Sequence, residues 1–136
     1  IGVADVLDEE GVYSAIVARA DFGEFRSVPE AMFTAIAPHL AQDPFTAVGL
    51  GWVDDDTSSI VVWRFADAAT AAANEAVLAD LVAAGTTFSG ASLSDALTLE
   101  SIETSGPHVI LRATPVRTSV TADLFVRQDV LFVYVD

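Results

Sequence analysis

No cysteine occurs anywhere in the chain, which excludes disulfides, thiolate metal sites and cysteine nucleophiles. Lysine is absent too, and the six basic residues are all arginine. Against them stand twenty Asp and Glu, giving a formal net charge of −14. Such a chain is expected to repel phosphate backbones and anionic headgroups, so neither nucleic acid nor an anionic membrane surface is an expected partner. The acidic residues are spread along the chain rather than gathered in a tail, as on a solvated surface that keeps a protein dispersed. A lysine-free acidic surface also suits a salt-loving organism or a GC-rich genome. No apolar run approaches the roughly 20 residues that a bilayer-spanning helix needs. No basic segment followed by an apolar stretch marks a signal peptide. The chain starts at Ile1 and is expected to be a processed or trimmed product, which leaves room for a removed leader or anchor.

Sequence signatures of catalysis are equally scarce. There is no HExxH, no GxSxG and no phosphate-binding glycine loop. The only GxG lies within residues 49–52, GLGW, inside an expected strand. No cofactor is expected.

What is present is a core. About half of the chain is apolar (52%), enough for one α+β domain over residues 1–136. Residues 58–85 organise the rest. Ile60, Val61, Val62, Trp63 and Phe65 form a short apolar run, as in a strand covered on both faces. Asp67 is placed to cap a helix, and residues 68–84 are alanine-rich, without Gly or Pro. Val77, Leu78, Leu81 and Val82 share one side at helical spacing, and Gly85 suits the position after the helix end.

Elsewhere, residues 1–10 read as an acidic lead-in broken by Gly11. Residues 12–22 read as a strand, and 23–26 as a loop. Ser27 and Glu30 form a capping-box pattern before a helix carrying Met32, Phe33, Ile36 and Leu40, interrupted at Pro38 and stopped at Pro44. Residues 47–53 predict a strand with Val48, Leu50 and Trp52 on one face and Gly49 and Gly51 on the other. A hairpin loop at 54–58 leads into the strand of the 58–85 stretch. Further strands are expected at 97–103 and 109–114, around a turn at Ser105, Gly106 and Pro107. Residues 116–126 alternate cleanly, and 130–135 complete a final hairpin.

This order predicts a ferredoxin-like βαββαβ core extended by a C-terminal antiparallel β-meander, with the helices on one sheet face. A weak internal repeat agrees: AIVARAD at 15–21 and IVVWRFAD at 60–67 each run apolar, Arg, Asp into a helix. RFADAATAAA at 64–73 and the ending TADLFVRQDVLFVYV at 121–135 resemble segments of uncharacterised bacterial cell-envelope α+β proteins. The resemblance implies an extracytoplasmic setting and carries no catalytic residue.

The candidate ligand-binding residues are Arg64, Trp63, Gly49, Gly51 and Arg19. Two glycines on one strand face leave it bare, either for close packing or as a pocket floor. Arg19, Arg64, Arg112 and Arg127 either pair with nearby carboxylates or converge to hold an anionic ligand. Asp54, Asp55 and Asp56 are the candidate cation site. They lack the EF-hand spacing, and consecutive side chains do not all point inward. Asp21, Glu24 and Arg26 cluster where the first strand ends. His39 reads as a helix-end residue and His108 as a partly exposed turn residue, with no metal-ligand spacing around either.

Three functions fit. The first is a non-catalytic binding or assembly domain, with a homodimer through the sheet, a protein partner or a small ligand. The second is a small enzyme of the dimeric α+β barrel kind, with a pocket between sheet and helices. The third is weak divalent-cation binding at the acidic hairpin.

Overall fold

The computed structural model describes residues 1–19, 46–53, 58–84 and 92–116. In chain order these form α1 (Val3–Glu9), β1 (Ser14–Arg19), β2 (Ala47–Val53), β3 (Ser58–Arg64), α2 (Ala68–Ala84), the single turn α3 (Leu93–Ala96), β4 (Leu97–Ser105) and β5 (His108–Pro115). The strands make one sheet in the order β1-β2-β3-β5-β4, with every neighbouring pair antiparallel. The protein is therefore α+β.

Strand parity divides the core into two layers. Val48, Leu50 and Trp52 of β2, Val61 and Trp63 of β3, and Val109, Leu111 and Ala113 of β5 pack with Ala71, Leu78 and Val82 of α2. Ala47, Ile60, Val62 and Ile110 face the other way and pack with Val3, Val6 and Leu7 of α1. The apolar run of β3 is thus covered on both faces, as its unbroken pattern predicts. Trp52, Trp63 and Phe65 are at most 2% exposed. Burying a side chain of that size contributes about 2–3 kcal/mol.

Helix α2 starts where expected. The Thr70 N–H donates to Asp67 Oδ1 at 2.8 Å. Hydrogen bonding by Thr70, through its backbone first, holds the Asp67 carboxyl below the usual carboxylate range. The inward stripe of α2 includes a polar residue: Asn74 is fully buried and its Nδ2 donates to the Thr70 carbonyl at 2.8 Å. The Thr104 hydroxyl of β4 donates to Glu75 of α2, fastening helix to sheet. At the β4–β5 turn Gly106 has φ +55°, as a two-residue hairpin followed by proline requires at its first central position.

Two expectations are corrected. The acidic lead-in is α1, a helix whose Val3, Val6 and Leu7 are buried. Its end is a Schellman motif: Gly11 has φ +76°, its N–H donates to the Asp8 carbonyl, and Val12 N–H donates to Leu7. This helix and α2 lie on opposite faces of the sheet; the two helices expected on one face were those at 27–42 and 68–84, and the first of these lies outside the described residues. Secondly, the strand order departs from the ferredoxin-like pattern. β1 is a terminal strand of the described sheet, paired directly and antiparallel to β2, where that pattern inserts a strand between them. The split arrangement occurs later: β3 and β4 run parallel, α2 connects them, and β5 sits between them. The helix expected within 27–42, Gly85, and the strands expected at 116–126 and 130–135 lie outside the described residues, apart from Val116.

Candidate functional site

The β4–β5 turn and α1 together shape a groove of about 510 Å³ on the α1 side of the sheet. Its position follows from register. Arg64, the last residue of β3, stands opposite His108, the first of β5, and His108 stands opposite Ser105 across the hairpin. Parity puts His108, Ile110 and Arg112 of β5 on the α1 face, with Glu103 and Ser105 of β4 beside them. From α1 come Val6, Glu9 and Glu10. The strand end is pinned on both sides of Arg64: Thr46 N–H donates to the Arg64 carbonyl at 2.6 Å, and Phe65 N–H donates to Pro107 at 2.8 Å.

Arg112 is fully committed. Its Nε and Nη2 donate to the two carboxylate oxygens of Glu10 at 2.7 and 2.5 Å, and Nη1 reaches Glu103 at 2.5 Å and Ser101 at 3.3 Å. This fork joins α1 to β5 and β4, and the hydrogen bond to Glu10 is the main reason that the guanidinium binds its proton still more tightly than usual. Arg64 differs. Its side chain is exposed, lines the groove, and has no carboxylate partner among the described residues.

His108 also departs from its sequence reading. It is 3% exposed, not a partly exposed turn residue, and its Nε2 is closed off from water without a hydrogen-bond partner among the described residues. Burial pushes its pKa below the usual imidazole value; a hydrogen bond to the Ser105 backbone opposes the shift, and the charges of Arg64 and the Ile1 amino group reinforce it. The unfolded chain takes up this proton near pH 6.5 and the folded chain only below that. The folded state is therefore favoured above about pH 6.5 and loses stability as the pH falls from there towards the folded pKa. Urea melts between pH 7.5 and 5.5 should show a steeper loss for the wild type than for His108→Gln. Equal slopes would mean that His108 does not titrate differently on folding.

The other sequence candidates are dispersed. Trp63 lies in the α2-side core, on the opposite face from the groove. The glycine face of β2 is filled: a Cβ at Gly49 would lie 2.4 Å from Val3 Cγ1 and 2.8 Å from Leu7 Cδ1, and one at Gly51 would lie 2.4 Å from Val12 Cγ1. These glycines seat α1 closely and do not floor an open pocket. The backbone of Arg19 falls in the same cross-strand row as Ala47, Arg64 and His108. Asp54, Asp55, Asp56, Asp21, Glu24, Arg26, His39 and Arg127 lie outside the described residues. Among the described residues, no group of three His, Asp or Glu is placed to hold a metal ion.

Glu9, Glu10 and Glu103 were not legible as site residues. The signal for the first two was the spacing of Val3, Val6 and Leu7 ahead of Gly11, which marks a helix and its end. Nothing local in β4 singles out Glu103. No helix among the described residues is long and apolar enough to cross a membrane, which leaves membrane strands unaddressed. No family model matches the sequence, and no curated protein or solved structure matches it significantly.

Proposed function

We propose that this chain is a non-catalytic binding domain that takes a small ligand in the groove between α1 and the β4–β5 turn. One observation carries it: Arg64 presents an exposed guanidinium to a concave, partly apolar surface with no carboxylate partner among the described residues. Arginine in such a setting presents a planar fork of donors suited to a carboxylate or another oxyanion. A few polar groups converging on an apolar wall is the usual make-up of a ligand site. Within the split unit of residues 58–115, the related half of a ferredoxin-like sheet, the groove sits at the hairpin end. The resemblance to cell-envelope proteins adds an extracytoplasmic setting to the proposal.

A thermal-shift screen of small polar and charged compounds at matched ionic strength tests it. A binder raises the melting temperature by mass action, so stabilising compounds are expected with the wild type and should lose their effect with Arg64→Gln. Compounds that stabilise both proteins equally would place binding elsewhere.

A further inference from the structure

We propose that the ligand of this groove is zwitterionic, an amino carboxylate whose carboxylate sits on Arg64 and whose ammonium sits on Glu9. This rests on the groove being the ligand site. Among the described residues the groove is lined by five charged side chains, and three of them, Glu10, Arg112 and Glu103, are tied together by the Arg112 fork, which leaves that trio one net negative charge. Arg64 and Glu9 remain, one of each sign, both exposed and neither with a side-chain ion-pair partner among the described residues. A cationic and an anionic side chain on one groove, each without an ion-pair partner among the described residues, complement a ligand carrying both charges.

Further features are compatible with such a ligand. The whole-chain charge of −14 opposes the approach of a net anion but not of a net-neutral molecule. Val6, Ile110 and Pro107 supply an apolar wall for an aliphatic side chain. The volume of about 510 Å³ lies within the range of small-molecule pockets.

Three matched probes separate the contributions. L-valine carries both charges, isovalerate keeps only the carboxylate, and isobutylamine keeps only the ammonium. Calorimetric titration of the full chain at constant ionic strength should give L-valine an affinity about tenfold or more above either single-charge probe, the effect of one lost charge-assisted contact. Glu9→Gln should reduce valine to the affinity of isovalerate without weakening isovalerate. Arg64→Gln should weaken both. Both substitutions replace exposed side chains, and an unchanged circular dichroism spectrum confirms that each variant is folded. Isovalerate binding as tightly as valine to the wild type, with loss in Arg64→Gln, would overturn the zwitterion and leave the groove as an anion site. Binding of none of the probes, or valine binding undiminished in Arg64→Gln, would overturn the groove reading as well.

Discussion

Replacing Gly49 with valine is expected to lower stability by about 3 kcal/mol, the upper part of the usual range for overpacking, and the melting temperature by roughly 10 °C. The reason is distance. The added Cβ alone would meet Val3 Cγ1 at 2.4 Å and Leu7 Cδ1 at 2.8 Å. Val3 is β-branched and stiff at χ1, and both partners are buried among Val6, Ile60, Val62 and Ile110. No flexible side-chain end is available to move aside, so α1 must lift as a unit. Lifting it exposes Val3, Val6 and Leu7 to water and draws Glu9 and Glu10 away from the groove. Thermal melts and amide exchange in α1 would show both effects together. A Gly49→Val protein that melts like the wild type, with α1 amides still protected, would mean that the helix does not rest on this strand.

The second large effect is expected for Arg112→Met. Methionine keeps much of the apolar stem and removes the fork that joins Glu10, Glu103 and Ser101. Two carboxylates then face each other without their donor. The Arg112 and Glu10 side chains are 27% and 20% exposed, so solvent moderates the cost; Glu103, at 55%, contributes less. The expected loss is about 1–3 kcal/mol, mainly the cost of carboxylate oxygens left without donors at a partly buried site. Adding Glu103→Gln to Arg112→Met should recover part of that loss, because it removes one of the repelling charges. Urea denaturation of the single and double variants measures both numbers. An Arg112→Met protein within 0.5 kcal/mol of the wild type, a margin typical of neutral surface changes, would show that the fork is ornamental.

Local patterns in the sequence carried much of the architecture. The Ile60–Phe65 run, the Asp67 cap and the Gly106–Pro107 turn each specify their own conformation through side-chain sterics or a local hydrogen bond, and each is found in place. Helix α1 is written in the spacing of Val3, Val6 and Leu7 and in the terminal Gly11, but its acidic residues at 5 and 8–10 give the segment the look of a polar lead-in. Strand order was not legible in the same way. Antiparallel pairing of β1 with β2 and insertion of β5 between β3 and β4 depend on long-range contacts that no local period encodes.

The site divides similarly. Arg64 was a candidate from its place at the end of a buried strand, and it lines the groove. Its distinction from Arg112 was invisible, since both read as arginines flanked by apolar residues. What separates them is whether a carboxylate from a distant segment arrives, and Glu10 reaches Arg112 across 102 positions of sequence. Gly49 and Gly51 were legible as a bare face. Whether a ligand or a helix covers that face depended on recognising α1.

The most direct measurement is the arginine Nε–Hε region of a ¹⁵N-resolved NMR spectrum during titration with L-valine. The exposed guanidinium of Arg64 should shift progressively and saturate, while Arg112, held by Glu10 and Glu103, should stay where it is. A shift of Arg112 with Arg64 unmoved, or no shift of either, would contradict the assignment of the groove as the ligand site.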